Sequence, residues 1–583
     1  MNKKSTALLL SICLIAISCS ENAVQTPDRQ PTVEVEERMQ PPAPPREEPK
    51  RAGEMVINQT LHDAEYATVK PRPANKPESG AAPGLDTVSA ESKLAVQFYA
   101  VPPPHPSRLS GEWNRESYDH IEENRFINSV NDPLSTFSID VDTASYANIR
   151  RFINQGHLPP RGAVRTEEMI NYFSYSYPEP DHNQPFSIHA EVGPSPFNAD
   201  YKLAKIGLKA RNLPIEKLPP SNLTFLIDVS GSMNRPNKLG LLKQSLKMLT
   251  EQLGPLDRVS MVVYAGCDRV VLMPTAGSDR DAIRHAVDSL QSGGSTHASS
   301  GIITAYELAR KSFMPGGNNR VVLASDGDFN VGITSRDELQ ALIEQQRDNG
   351  IYLTVLGFGD TNYHDDTMEI LADKGNGNYA YIDSLLEAKK VLIKERSSTL
   401  FALARDVKIQ VEFNPAVVGA YRLIGYENRA LQDEDFRDDT KDAGEIGLGH
   451  TVTALYEVMP AGHKNIPGVD KLKYQQQTSD PARSTEMLTI KVRYKPEGMQ
   501  TSTLLTRSLT DQNLSLDQTS LDFRFAATVA GFAMLLRESP HVGTFDLNHC
   551  IKLAKQARGE DSEGYRAEFT RLVEMAQLLK NQG

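Results

Sequence analysis

The 583-residue sequence lacks most of the patterns that mark common enzyme classes. It contains only four cysteines and one tryptophan, and its thirteen histidines form no cluster at metal-ligand spacing. No His-Glu-x-x-His motif, Walker loop, Gly-x-Ser-x-Gly turn or Cys-x-x-Cys pair occurs. These absences argue against zinc proteases, P-loop nucleotide hydrolases and thioredoxin-like enzymes. A catalytic triad dispersed along the sequence stays open, because its members need not be adjacent.

An excess of positive charge is also missing. The chain has 63 Lys and Arg against 75 Asp and Glu, which gives a net charge of -12. Proteins that bind nucleic acid need basic surfaces to neutralise phosphates, so we expect no nucleic-acid partner. The apolar content of 39% and the charged content of 24% are typical of a soluble body. The length favours about three to four domains.

The N-terminus carries an apolar run that is too short to cross a bilayer. Two lysines precede Ala7–Ile17, whereas a membrane-spanning helix needs about 20 apolar residues. Residues 1–18 are therefore predicted to be a signal peptide. The segment ends in Ile-Ala-Ile-Ser-Cys, which resembles the lipobox of bacterial lipoproteins and implies lipidation of Cys19. By the enterobacterial sorting rule, Ser20 implies the outer membrane; an ordinary cleaved signal peptide is the alternative.

Residues 19–123 are predicted to form a disordered, proline-rich tether. Fifteen of the 36 prolines lie between Pro27 and Pro106, with charged and small residues between them. Such a segment cannot bury enough apolar surface to offset the entropy of ordering it. We expect an extended spacer that lifts the body of the protein away from a membrane. A proline-motif ligand for another protein is the alternative.

Short apolar strands alternate with helices in the middle of the chain. The predicted strands are Leu223–Asp228, Val259–Ala265, Val270–Met273, Arg320–Ser325, Tyr352–Gly357 and Tyr379–Ile382. The predicted helices are Lys238–Leu253, Asp279–Leu290, Ser299–Phe313, Arg336–Asn349 and Leu385–Leu400. Apolar strands that alternate with helices of this length predict a mostly parallel sheet covered on both faces.

Local patterns predict two helix caps in the flanking regions. Asp142 or Thr143 follows a strand-like run and can cap a helix. Asp140 and Asp142 raise the alternative of a calcium loop, but the glycine and the acid that an EF-hand requires are missing. We therefore interpret this pair as a strand end and a helix cap. Near the C-terminus, Thr519 with Asp522 resembles a capping box.

Two cysteines remain once Cys13 is removed with the signal peptide and Cys19 is lipidated. Cys267 and Cys550 lie far apart in the sequence. An oxidising periplasm would allow a disulfide between them, but sequence spacing cannot establish one. We expect two separate buried thiols.

Polar oxygen-bearing residues follow two of the predicted strands. Asp228, Ser230 and Ser232 lie on the turn after the first strand, and Asp326 ends a later strand. Thr296 lies in a loop immediately before a helix. Ligands of parallel sheets gather at the carboxyl ends of the strands, so these segments can meet at one edge. Hydroxyls and two carboxylates suit Mg²⁺, whereas zinc would favour His or Cys ligands.

This set of residues resembles the metal-ion-dependent adhesion site of von Willebrand factor type A domains. The resemblance implies that Ser230, Ser232 and Thr296 supply hydroxyl ligands to Mg²⁺, with Mn²⁺ or Ca²⁺ as alternatives. It implies that Asp228 and Asp326 bind the ion directly or through water. A protein partner would then fill the open position with the carboxylate of an Asp or a Glu. A decayed site in a structural domain is the alternative.

Two further stretches resemble the YfbK-type family of bacterial von Willebrand A lipoproteins. They are Pro133–Tyr146, in the N-terminal region, and Asp522–Ala527, in the C-terminal region. Together with the central unit, the resemblance covers nearly all of the chain beyond the tether. It says more about architecture than about function.

The fold class predicted from these patterns is α/β. A von Willebrand A domain, Rossmann-like with a doubly wound and mostly parallel sheet, is expected at 221–400. It would be inserted in a β-sandwich built from 184–220 and 401–506. A small α/β region at 124–183 follows the disordered N-terminal tether, and a helical region at 507–583 ends the chain.

The leading functional hypothesis is a lipid-anchored protein of the cell envelope that binds a protein ligand through Mg²⁺. Contact with a membrane would occur through the lipid anchor only, and no enzymatic activity is expected. One alternative is a structural scaffold for envelope assembly in which the metal only stabilises the domain. The other is an envelope hydrolase that uses the metal or an unrecognised triad.

Overall fold

A computed structural model describes residues 116, 118, 120–181, 184–294, 299–327, 336–360, 365–468, 485–496 and 498–582. The predicted signal peptide, Cys19, most of the predicted tether and Thr296 lie outside these residues. None of the helices in the described part of the chain has the length and apolar character needed to cross a membrane.

The described residues form sixteen strands and twelve helices. The strands are β1 (Ile127–Asn128), β2 (Leu134–Ser138), β3 (Phe186–Pro194), β4 (Lys202–Ala210), β5 (Ser221–Asp228), β6 (Arg258–Tyr264), β7 (Asp268–Ala276), β8 (Asn318–Ser325), β9 (Tyr352–Phe358), β10 (Tyr379–Ile382), β11 (Ala402–Phe413), β12 (Val418–Ile424), β13 (Gly444–Gly447), β14 (Thr451–Pro460), β15 (Glu486–Pro496) and β16 (Thr503–Thr510). The helices are α1 (Ala144–Asn154), α2 (Thr166–Asn171), α3 (Leu241–Thr250), α4 (Arg280–Ser289), α5 (Ser299–Lys311), α6 (Arg336–Asp348), α7 (Asp365–Lys374), α8 (Leu385–Lys389), α9 (Arg396–Leu400), α10 (Leu521–Arg537), α11 (Leu547–Ala557) and α12 (Tyr565–Gln582).

The central sheet has six strands in the order β10-β9-β8-β5-β6-β7. Neighbouring strands run parallel, except that β7 is antiparallel to β6. Strand β5 is buried on both faces: Phe225 and Ile227 share a core with α3, and Leu226 shares another with α5. A strand covered on both sides must be apolar throughout, which explains its unbroken apolar run. The predicted α/β fold with a mostly parallel sheet is confirmed.

The strand register brings the predicted site residues to one edge of this sheet. Ile227 pairs with Ala324, so Asp228 lies beside Ser325, the last residue of β8. Asp228 also pairs with Tyr264 at the end of β6. The carboxyl ends of β5, β6 and β8 therefore meet at the edge where ligands of open parallel sheets bind.

Two antiparallel sheets form a sandwich beside the central domain. One has the order β1-β12-β14-β4-β3, and the other has the order β13-β11-β15-β16 with β2 paired to β11. Their facing sides share one core, to which Ile188, Ile206, Val411, Tyr456 and Ile490 belong. Strand β4 precedes the central domain and β14 follows it, yet the two pair directly. The chain thus leaves the sandwich, forms the central domain and returns.

The C-terminal helices α10, α11 and α12 pack with α1 and α2 around a separate core. Helix α10 begins after Ser520, whose hydroxyl accepts a hydrogen bond from the backbone N–H of Phe523 at 3.0 Å. The predicted cap at Thr519 is therefore wrong by one residue. The hydroxyl of Thr519 instead donates to the carbonyl of Leu516 at 2.6 Å.

Helix α1 starts without a hydrogen bond from a capping side chain, contrary to the prediction for Asp142 or Thr143. Thr143 occupies the cap position, but the carboxylate of Glu168 accepts from the backbone N–H of Ser145 at 2.8 Å. Asp142 accepts instead from the backbone N–H of Tyr379 at 2.8 Å. Partners from distant parts of the chain have replaced the local cap.

Cys267 and Cys550 are both free thiols. Cys550 is buried in α11, whereas Cys267 is exposed. The prediction of two separate thiols is confirmed, and the prediction that both are buried is wrong for Cys267. Cys267 lies in the turn between β6 and the edge strand β7, where the chain faces solvent.

Candidate metal centre

The carboxylate of Asp228 is held in place from three sides. One oxygen accepts a hydrogen bond from the backbone N–H of Ser230 at 2.8 Å. The other accepts from the hydroxyls of Tyr264 at 3.3 Å and Ser325 at 3.2 Å. Burial and the negative charge of nearby Asp326 raise the pKa of Asp228 to about 6. The Asp228 carboxylate is therefore ionised at neutral pH, and a nearby positive charge would stabilise this ionised form.

The turn after β5 presents two hydroxyls side by side. Residues Gly231–Met233 form one turn of tight helix, which brings the hydroxyl oxygens of Ser230 and Ser232 to 2.9 Å from each other. Ser230 is buried, and Ser232 is partly exposed. Two hydroxyl oxygens at this separation can contact one small ion together.

The loop that leads towards Thr296 is fixed to the same turn. The backbone N–H of Gly231 donates to the carbonyl of Gly294 at 3.2 Å, and the N–H of Gly293 donates to the carbonyl of Val229 at 2.8 Å. Gly294 adopts a φ of +92°, which glycine tolerates better than other residues. Thr296 itself lies outside the described residues, so its predicted role as a ligand stays a prediction.

Asp326 lies beyond the end of β8 and forms an ion pair that the sequence does not reveal. The ammonium group of Lys238 donates to one of its carboxylate oxygens at 2.8 Å. Both side chains are buried, with 1% of Lys238 and none of Asp326 exposed. Lys238 belongs to a short π-helical segment, Pro236–Gly240, that continues directly into α3. In the sequence it is the first residue of the predicted helix Lys238–Leu253, and no local pattern distinguishes it from an exposed lysine.

Gly359 provides the space that the Lys238 side chain occupies. A Cβ atom added to Gly359 would lie 2.1 Å from Cε of Lys238, and the φ of Gly359 is +89°. This glycine follows β9 and so belongs to the same carboxyl edge as Asp228 and Asp326. A larger residue at 359 would displace the lysine from the centre.

The structure thus brings together four of the five predicted ligands: Asp228, Ser230, Ser232 and Asp326, which we call the metal centre. Their donor atoms are all oxygens, and one carboxylate is already oriented by three hydrogen bonds. Hard cations such as Mg²⁺ prefer oxygen donors, and hydrogen bonds to a ligand fix its direction before the ion binds. The residues present therefore fit a hard divalent cation.

A second group of buried carboxylates lies between the central domain and its flanks. Arg429 contacts Asp140 and Glu369, each at 3.2 Å, and Arg165 pairs with Glu168. We call these five residues the arginine-bridged cluster. Its three carboxylates lie close enough to surround a cation, but the two guanidinium groups already pair with them. The cluster therefore serves as an ionic contact between domains.

Three family models match the sequence. The model described as "von Willebrand factor type A domain" matches residues 222–394. The model described as "Uncharacterized protein YfbK, C-terminal" matches residues 398–579, and "von Willebrand factor" matches residues 112–205. The first of these covers the central sheet and its helices. The second begins within α9 and ends within α12.

Relatives are found across most of the chain. "Uncharacterized protein YfbK" of Escherichia coli (strain K12) is 42% identical over 469 residues, which cover 79% of this chain and 80% of that protein. A "UPF0353 protein" of Mycolicibacterium paratuberculosis (strain ATCC BAA-968 / K-10) is 29% identical over 194 residues, 29% of this chain and 57% of that protein. Neither name describes an enzyme.

Solved structures similar to this one include von Willebrand A proteins. "Von Willebrand factor type A from Catenulispora acidiphila" is 15% identical with a TM-score of 0.36, covering 65% of this chain and 88% of that one. The "conserved hypothetical protein BatB from Bacteroides thetaiotaomicron" is 22% identical with a TM-score of 0.26, covering 30% of this chain and 97% of that one.

Proposed function

We propose, from the premise that this chain belongs to the YfbK family of von Willebrand factor type A proteins, that its central domain binds a protein ligand through a divalent cation. The premise rests on the match to YfbK of Escherichia coli over 79% of the chain. Domains of this type commonly mediate interactions between proteins. The metal centre is the surface on which the interaction would occur.

One observation carries the proposal: the carboxylate of Asp228 is oriented beside two adjacent hydroxyls at the edge where β5 and β8 end. Asp228, Ser230, Ser232 and Asp326 would hold the ion, and Thr296 is proposed as the fifth ligand. Mg²⁺ suits this donor set best, with Mn²⁺ or Ca²⁺ as substitutes. When bound, the ion would act as a Lewis acid that accepts an electron pair from a carboxylate oxygen of an Asp or a Glu of the partner.

The residues around the ligands have defined tasks in this proposal. Tyr264 and Ser325 hold one oxygen of Asp228 at 3.3 and 3.2 Å, and the N–H of Ser230 holds the other at 2.8 Å. Such support keeps the carboxylate in one rotamer whether or not an ion is present. We propose that the central domain binds its ligand and catalyses no reaction.

The cellular setting belongs to the same proposal. A lipid on Cys19, followed by a proline-rich spacer, would hold the protein at a membrane of the cell envelope, with the outer membrane favoured by Ser20. Contact with the membrane would be made by the lipid alone. The binding domain would then face partners in the periplasm or outside the cell.

Calorimetry with Mg²⁺ tests the site directly. Asp228→Ala removes one ligand and the charge that attracts the ion, so its affinity for Mg²⁺ should fall at least about a hundredfold. Asp281→Ala changes an almost fully exposed carboxylate of α4 in the same domain and serves as the matched control. Unchanged Mg²⁺ binding in Asp228→Ala, with the fold intact by circular dichroism, would refute the site.

A pull-down from envelope extract tests the role of the ion in binding. The partner should be retained in Mg²⁺ and released by a chelator, and Asp228→Ala should retain none. Retention in chelator, together with a lowered melting temperature, would favour the structural scaffold instead. Turnover of cell-wall or peptide substrates that survives Asp228→Ala would favour the hydrolase.

A further inference from the structure

A lysine is buried inside the metal centre. The ammonium group of Lys238 contacts Asp326 at 2.8 Å, and 1% of the lysine side chain is exposed. Lysine is seldom buried unless it is paired, because removing its charge from water is costly. Since the lysine contacts one of the proposed ligands, it affects the charge of the site that an ion would enter.

The backbone at Gly359 leaves space for the side chain of this lysine. Gly359 adopts a φ of +89°, and a Cβ at that position would lie 2.1 Å from Cε and 2.8 Å from Cδ of Lys238. The Gly359 carbonyl is in turn held by the hydroxyl of Tyr381. Because Gly359 has no side chain, the carbon chain of Lys238 can pass beside it and bring the ammonium group to Asp326.

The charges of the centre can be counted from its residues. The formal charges of three side chains, Asp228, Asp326 and Lys238, sum to one negative charge. A divalent ion changes this to one positive charge. One carboxylate from a partner then makes the occupied centre neutral. Without the lysine, the same partner would bring a negative charge to a centre that the ion had already neutralised.

We infer that Lys238 is an internal cation that weakens metal binding and, in return, strengthens the binding of a partner carboxylate to the metal-loaded centre. The inference rests on the proposed function and adds a division of roles to it. The ligands retain the ion, and the lysine keeps the loaded centre positive. Lys238 is a positioning and charge-setting residue, since it contacts a ligand and not the partner.

Calorimetry on the full chain tests the first half of the inference. Lys238→Met should bind Mg²⁺ about tenfold more tightly or better than the wild type, because a repelling charge has been removed at short range. Lys238→Gln, which is also neutral and keeps a hydrogen-bond donor for Asp326, should change in the same direction. Lys247→Met alters a partly exposed lysine of α3 that pairs with Asp288, and it should leave the affinity unchanged.

Acetate, as a simple carboxylate, tests the second half. With the wild type, saturating acetate should strengthen Mg²⁺ binding, because the ion and the carboxylate bind as a linked pair. With Lys238→Met the strengthening should be several-fold smaller. Absence of strengthening in the wild type, or equal strengthening in both proteins, would overturn this part.

The outcomes separate the inference from the proposed function. A wild-type chain that binds no Mg²⁺ overturns the proposed function and the inference with it. A wild type that binds Mg²⁺ while both neutral variants bind it equally or more weakly overturns only the inference. If Lys238→Met does not fold, Lys238→Gln alone decides, with circular dichroism as the check on its fold.

Discussion

The metal centre and the arginine-bridged cluster both bury several carboxylates, but they balance the negative charge in different ways. In the cluster, two guanidinium groups donate to the carboxylates through their fork of N–H groups. In the metal centre, hydroxyls and a backbone N–H hold one carboxylate, and the ammonium group of Lys238 donates to the other. Arginine fills a site with fixed donors, whereas hydroxyls can also donate electron pairs to a cation.

The difference shows how to distinguish a structural ionic contact from a site that can bind a cation. Carboxylates that lie near one another raise the possibility of a cation site in both regions. In the metal centre, the groups beside Asp228 are hydroxyl oxygens that could become ligands, whereas guanidinium N–H groups face the carboxylates of the cluster. The following predictions, in order of decreasing effect, test whether the cluster is a structural ionic contact and the metal centre a cation-binding site.

Loss of an arginine from the cluster should cause the largest loss of stability. Arg165→Met leaves Glu168 and Asp365 buried without their partner, and breaking a buried ion pair costs about 3–5 kcal/mol. The free energy of unfolding in urea measures the effect. Arg161→Met, which changes an exposed arginine, should stay within about 0.5 kcal/mol of the wild type. A small effect of Arg165→Met would show that the cluster is not a structural contact.

The ion pair inside the metal centre should give an intermediate loss. Asp326→Ala leaves the buried ammonium of Lys238 unpaired and should cost about 3 kcal/mol without Mg²⁺. The double variant Asp326→Ala with Lys238→Met should recover about half of that loss, since no buried charge is left alone. Urea unfolding of the four proteins in chelator measures the coupling. Additive losses would mean that the two side chains do not stabilise each other.

The pH dependence of stability should reveal the carboxylates at the border of the cluster. Burial and the charge of nearby Glu427 raise the pKa of Glu167 to about 7, from its ordinary value of 4.5. The folded state therefore holds a proton that the unfolded state has released, so this contribution is complete below pH 4.5 and is lost as pH rises to about 7.

Glu167→Gln should remove that part of the pH dependence. The amide oxygen can still accept from the backbone N–H of Tyr426, which donates to Glu167 at 2.9 Å. Relative to the wild type, the variant should gain about 2–3 kcal/mol of stability between pH 4.5 and 7. Urea unfolding at several pH values measures the gain, with the exposed Glu122→Gln as control. An identical pH profile in both variants would contradict the assignment.

Much of the central domain could be predicted because its patterns are local. An unbroken apolar run predicts a buried parallel strand, and the polar turn after it predicts the site. The rule that strand ends share one edge was sufficient to place Asp228 and Asp326 together. Helix α7, in contrast, was not predicted, since its ten residues contain only a short buried stripe formed by Met368, Leu371 and Ala372.

The contacts that the sequence could not reveal join residues far apart in the chain. Lys238 lies in the first turn of a helical segment, where lysines are usually exposed, and it is buried here because it packs against Asp326 after β8 and Gly359 after β9. The start of α1 is stabilised by Glu168 rather than by a neighbouring cap. Such partners are selected by tertiary packing, which overrides local preferences.

The insertion of the central domain between β4 and β11 has a mechanical consequence. A pull on the chain from the N-terminal side of β1 is resisted first by the pairing of β1 with β12 and of β2 with β11. All four strands belong to the sandwich, so a load from that side enters the sandwich first. A load carried to a partner held at the metal centre would then reach the central domain through its two chain connections, β4 to β5 and α9 to β11, and through side-chain contacts such as Arg429 with Glu369.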